Sequence, residues 1–191
     1  DHTDFLPLAS GPVVRRRQDL AVHLVDGLDA GIGMTSSSRD FDFFIGDWRV
    51  RHRRLKRRLA GCDDWAEFDG TCHVRRLLGG AGNCDDNLLA MPEGAYRAVT
   101  LRSFDAVTGL WSIWWLDGRF PHRLDPPMIG GFDAGTGTFY ADDTFNGVPI
   151  RVLFLWHTSA RDAPRWEQAF SADGGATWET NWIMDFMRLP A

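Results

Sequence analysis

"GDWRVRHRRLKRR", residues 46–58, sets seven arginines and lysines into the ten positions from Arg49 to Arg58, in a chain whose net charge is -5. Side chains alternate across a strand, so Trp48, Val50, His52 and Arg54 share one face while Arg49, Arg51 and Arg53 share the other. The cations are therefore split between two surfaces. A nucleic-acid site needs them on one, with aromatic rings between them for base stacking. The stretch reads instead as a sheet strand with an inner face headed by Trp48. Its outer arginines pair with acids such as Asp63, Asp64, Glu67 and Asp69 on the next strand. Nucleic acid is not an expected partner.

From Phe41 onward the chain has the punctuation of an all-β protein. Short runs rich in Val, Phe, Trp and Thr are broken by turn signals at "DAVTG" (105–109), "DAGTG" (133–137), "FNGV" (145–148) and "ADGGAT" (172–177). Asn146-Gly147 is the strongest hairpin signal among them. Ten strands are predicted, at 46–56, 65–77, 83–89, 95–104, 110–117, 128–133, 137–144, 148–157, 165–171 and 177–188. This even spacing, in a chain of 191 residues with nine tryptophans, predicts a sandwich or a closed barrel.

Residues 1–40 differ from the rest. "RRRQDLAVHLVDGL" has the period of a short amphipathic helix with Leu20, Leu24 and Leu28 on one side, and "GIGMTSSSRD" reads as a linker. The domain division is thus a 1–40 appendage and a 41–191 barrel, the appendage being placed to close the barrel mouth, mediate a homodimer or remain disordered. No run approaches the roughly 18 apolar residues that span a bilayer, and the first thirty residues lack a secretory apolar core, so a cytoplasmic location away from membranes is the default expectation. Cys62, Cys72 and Cys84 form no CxxC pair and read as reduced, which excludes a disulfide framework and a cysteine zinc site.

"FDFFIGDW" (41–48) puts a Gly-x-Trp, Gly46 and Trp48, at the head of the first strand, and "TWETNWIMDFMRLP" closes the last strand with Arg188. This pairing resembles the calycin superfamily, and in particular bacterial lipocalin-like domains of unknown function. The resemblance covers residues 41–190. It implies an antiparallel barrel of about eight to ten strands, with Arg188 packed over Trp48 to plug one end, and an interior able to take one small ligand. If Arg188 points inward, alternation sends Trp178, Trp182, Met184 and Phe186 inward and leaves Glu179, Asn181 and Asp185 outside.

Within such a barrel, Trp111, Trp115, Phe154, Trp156, Trp166 and Trp182 are the candidate ligand walls, with Arg54 beside them on the inner face of the first strand. Both faces of 110–117 carry aromatics, so the sequence leaves its inward side open. The polar candidates are Asp117, Arg119, His122 and Asp125 in "WLDGRFPHRLDPP", Asp143 of the Asp142-Asp143 pair, and His52. Carboxyls in unlike surroundings divide acid and base work, and histidine needs little tuning to do either. These residues point to a cofactor-free, metal-free acid–base enzyme of the isomerase, cyclase or lyase type acting on a hydrophobic metabolite. The alternative is an intracellular carrier or sensor that only binds such a molecule. "SADGGATW" (171–178) matches an Asp-box, which as a single copy marks a hairpin turn. "GGAGN" (79–83) lacks the spacing of a phosphate loop, and no serine nucleophile elbow is present. The resemblance does not extend to the haem-binding nitrobindins among the calycins, whose axial histidine lies on a late strand: residues 158–191 contain no histidine, and His157 is the only late candidate.

Overall fold

The computed structural model describes residues 36–190. Ten antiparallel strands close on themselves: β1 (Gly46–Leu55), β2 (Trp65–Leu77), β3 (Gly82–Leu89), β4 (Tyr96–Asp105), β5 (Leu110–Asp117), β6 (Met128–Asp133), β7 (Thr136–Phe145), β8 (Val148–His157), β9 (Arg165–Ser171) and β10 (Glu179–Arg188). Each strand pairs with its neighbours in sequence, and β1 closes the ring on β10. The predicted strands differ from these by no more than two residues at any end. The short helix predicted within residues 1–40 lies outside the described residues. Among the described residues, no helix is long and apolar enough to cross a membrane.

Closure rests on the two motifs that the sequence singled out. Trp48 lies opposite Arg188 in the β1–β10 register, and the guanidinium carbon sits 4.2 Å from the indole centroid. A cation–π contact of this kind contributes about 0.5–2 kcal/mol. Arg188 also donates to the carbonyls of Ile45 and Phe43 and, through Nε, to Asp162 at 2.6 Å. Gly46 makes this possible. Its φ of +125° belongs to glycine, and a Cβ there would meet Arg188 Nη1 at 3.1 Å.

The same end is filled from the inside. Phe41, Phe43 and Phe44, around a 3-10 turn at Asp42–Phe44, are buried. Phe41 meets Trp111 and Phe132 edge to face, both at 4.9 Å, and Phe44 meets Trp156 at 4.8 Å and Phe186 at 5.0 Å. Residues 36–40, read from sequence as linker, are tied to this plug. The Trp111 indole donates to the Ser37 carbonyl and Asp40, and Ser36 Oγ accepts from the Phe132 N–H.

On the outer face, Arg51 pairs with Glu67 at 2.6 Å and Lys56 with Asp64 at 2.9 Å. Inner-face parity holds along β1, where Trp48, Val50 and His52 are buried. It fails in β10. A bulge between Thr180 and Trp182 inserts Asn181 as an extra residue. Asn181 is fully buried and accepts a hydrogen bond from Gln168 at 2.8 Å, where the sequence placed it outside. Beyond the bulge the faces exchange. Glu179 pairs with inward-facing Phe170, while Trp178 packs on Tyr140 and donates to the Gly175 carbonyl. Trp178 and Glu179 thus reverse their expected sides, although Trp182, Met184 and Phe186 stay inside.

The Asp-box stretch is a self-contained turn. Asp173 accepts from the Ser171 hydroxyl and from Thr177 N–H and hydroxyl.

Candidate functional site

Between the aromatic plug and the opposite, open end lies a cavity of about 240 Å³. Strand alternation decides its walls. Trp115 lies opposite Thr100, and Trp111 opposite Phe104, so Trp111, Ile113, Trp115 and Asp117 all face in and the side left open by the sequence is settled. Trp115, Phe154, Trp156, Trp166 and Trp182 line the cavity. Trp182 meets Trp115 at 5.9 Å and Trp166 at 5.6 Å, both near perpendicular, giving a wall of ring edges and faces suited to a flat apolar body. Trp111 is not part of it, being held in the plug at the closed end.

His52 stands behind the wall. It is 2% exposed and its Nδ1 accepts the Trp182 indole N–H at 3.2 Å. Its ring stacks on Phe68 with centroids 4.6 Å apart. Gly70 clears the space, since a Cβ there would lie 2.7 Å from His52 Nε2. Burial, then the charge of Arg54, pushes the imidazole down to about 3. His52 is therefore a neutral acceptor that orients Trp182.

At the mouth the carboxyls converge. Asp143, opposite buried Ile150, faces in, while Asp142, opposite Arg151, faces out. Asp117, Asp125 and Asp143 all line the cavity. Burial raises Asp125 above the usual carboxylate range, and the charge of Asp143 raises it further. Asp117 goes the other way, because hydrogen bonds from Arg119 outweigh the upward push of burial. Arg119 binds Asp117 with Nε at 3.0 Å and Nη2 at 2.7 Å and lies 3.8 Å over the Tyr96 ring. His122 is exposed on the loop and outside the lining.

Sequence reasoning missed the cavity floor. Asn83, Asp85 and Asn87 of β3 face in beside Thr100 and Arg102 of β4, all of them buried. Arg102 Nη1 donates to Asp85 at 2.6 Å and to Asn83 at 3.0 Å. Asp85 also accepts from the Thr100 N–H and from Asn87. The guanidinium lies 5.0 Å from the Phe44 centroid and 5.2 Å from that of Phe41. The available signal was polar residues at every second position, Asn83, Asp85 and Asn87. It was muted because Cys84 and Asp86 make the outer face equally polar. Among the described residues no group of three or more His, Cys, Asp or Glu is placed to hold a metal ion.

No protein-family model matches the chain, and no curated protein does. Among solved structures, the S-type phycobiliprotein lyase of Guillardia theta superposes with a TM-score of 0.54 at 10% identity, over 82% of this chain and 94% of the lyase. EF1p2_mFAP2b bound to DFHBI aligns over 81% of this chain and 100% of its own, at 10% identity and a TM-score of 0.42, too loose a likeness to argue from. At such identity the first match speaks to fold. The chain forms a calycin-like, closed antiparallel barrel, as Gly46, Trp48 and Arg188 implied.

Proposed function

We propose that the barrel binds one hydrophobic small molecule and acts on it as a cofactor-free acid–base enzyme of the isomerase, cyclase or lyase type. The observation that carries this reading is the meeting of Asp125 and Asp143 at the mouth of an aromatic cavity, with Asp125 held protonated to higher pH than an ordinary carboxyl. The two carboxyls divide the work: Asp143 takes a proton from the ligand and Asp125 returns one, and proton exchange with solvent at the mouth resets the pair, so the proton count is conserved. Trp115, Phe154, Trp156, Trp166 and Trp182 orient the ligand, which supplies the positioning on which such chemistry depends. Arg119 acts through Asp117, and His52 through Trp182. His122 has no part. That a barrel of this fold serves as a lyase in Guillardia theta is in keeping with catalysis, though it names no substrate for this chain.

The test is a mass-spectrometric comparison of small-molecule extract incubated with wild type, Asp125→Asn and Asp143→Asn. Conversion of a metabolite by wild type alone supports the enzyme. A metabolite withdrawn unchanged, and equally by all three proteins, establishes the carrier instead.

A further inference from the structure

The cavity mouth carries two arginines whose charges are only partly offset, Arg54 by Asp117 and Arg58 by Glu179. Arg54, at the end of β1, lines the cavity. Its guanidinium carbon lies 4.5 Å from the Trp182 centroid, and its Nε is buried without a hydrogen-bond partner. Arg58, in the β1–β2 loop, also lines the cavity and lies 5.0 Å from the Phe145 centroid and 5.8 Å from that of Phe170. Among the described residues neither has a carboxylate within 4.0 Å, whereas eleven other pairs in the molecule do.

The neighbouring acids are otherwise engaged. Asp117 is gripped by Arg119. Glu179 Oε1 accepts the Leu59 N–H at 2.7 Å. Asp125, raised by burial and then by the charge of Asp143, faces Asp143 rather than either arginine. Burial, and after it repulsion from Arg54 and Arg119, brings the Arg58 guanidinium down to about 10, so it remains charged at neutral pH. Half-buried cations that repel one another are costly unless an anion completes them. The free Nε edge of Arg54 is also the side of the guanidinium that grips a carboxylate with two parallel hydrogen bonds.

We propose that Arg54 and Arg58 form an anion subsite, so that the molecule bound in the cavity is an amphipathic carboxylate. Its flat apolar body lies along Trp115, Trp166 and Trp182, and its carboxylate lies at the mouth between the two arginines, within reach of the Tyr96 ring that Arg119 covers. This deepens the small-molecule reading and rests on it. The subsite also gives the reaction an orientation, fixing one end of the substrate at Arg54 while Asp125 and Asp143 address another part.

The experiment is calorimetric titration of the full chain with 1-naphthylacetate and with its neutral isostere 1-naphthylacetamide at pH 7.5. Wild type is expected to bind the carboxylate at least tenfold more tightly than the amide. That ratio should fall to near one in Arg58→Gln and Arg54→Gln, and to an intermediate value in Arg54→Lys, which keeps the charge but loses the fork. Circular dichroism checks each fold, and should Arg54→Gln not fold, Arg58→Gln decides. Equal affinities in wild type, or a ratio retained in every folded variant, overturn the subsite and leave the cavity reading standing. Failure of both compounds to bind overturns both readings.

Discussion

Arg102 at the floor of the cavity and Arg54 at its mouth are both inward-facing arginines stacked on aromatic rings, yet they serve opposite ends. Arg102 is charge-paired: Asp85 and Asn83 accept hydrogen bonds from its Nη1, and the ion pair is 5% and 1% exposed. Arg54 is open: both arginines keep a buried Nε without a hydrogen-bond partner, but among the described residues Arg54 has no carboxylate within 4.0 Å, where Arg102 has Asp85. A buried charge whose partner is part of the fold belongs to the architecture. One left unpaired where a cavity meets solvent is available to a ligand.

The largest expected effect would break the closed end. Asp85→Asn leaves Arg102 charged and buried, and unfolding by denaturant should show a loss of about 3–5 kcal/mol. The double variant Asp85→Leu with Arg102→Met should recover most of that loss. If the single variant costs under about 1 kcal/mol, the floor is not a structural pair and the contrast with the mouth collapses.

Next comes His52. Its folded pKa of about 3 lies below the unfolded value of about 6.5, so the stability it contributes is present above pH 6.5 and lost as pH falls toward 3. Between pH 7.5 and pH 5 this amounts to about 2 kcal/mol. Denaturation midpoints of wild type and His52→Gln at the two pH values should differ in slope accordingly, the variant being the less sensitive.

Gly46→Ala tests the plug itself. A residue forced to φ +125°, with a Cβ 3.1 Å from Arg188, should cost about 1–3 kcal/mol, read as a lowered melting temperature. At the small end of the scale, Arg58→Gln should change stability by no more than about 1 kcal/mol, since cation–π contact at a partly exposed site contributes about that much. A large loss there would make Arg58 architectural, like Arg102. Under the enzyme reading, turnover should also decline as pH rises through the elevated pKa of Asp125, and Asp125→Asn should lose turnover at every pH.

Much of this was legible in the chain. Alternation and turn chemistry located all ten strands, because each depends on residues that are near in sequence. Trp48 and Arg188 announced closure. The Asp142-Asp143 pair showed that one carboxyl must enter, and alternation from a known inner residue is enough to choose it. What stayed hidden depended on partners distant in sequence. The bulge at Asn181 leaves no mark in "WETNWIM", since an extra residue becomes visible only against the uninterrupted strand beside it. It reversed Trp178 and Glu179. The floor of Asn83, Asp85 and Asn87 is anonymous until Arg102 arrives from the next strand. His52 reads as an acid–base candidate until Trp182 and Phe68 enclose it.

By itself, then, the sequence determined the all-β class, the strand boundaries and the pair that plugs one end, all consequences of period-two burial and local turn geometry. Only the tertiary structure decided which polar groups are satisfied and which are left open. Neutralising a charge takes a partner, and in a barrel closed by β1 and β10 the partners come from strands that meet only once the ring is complete.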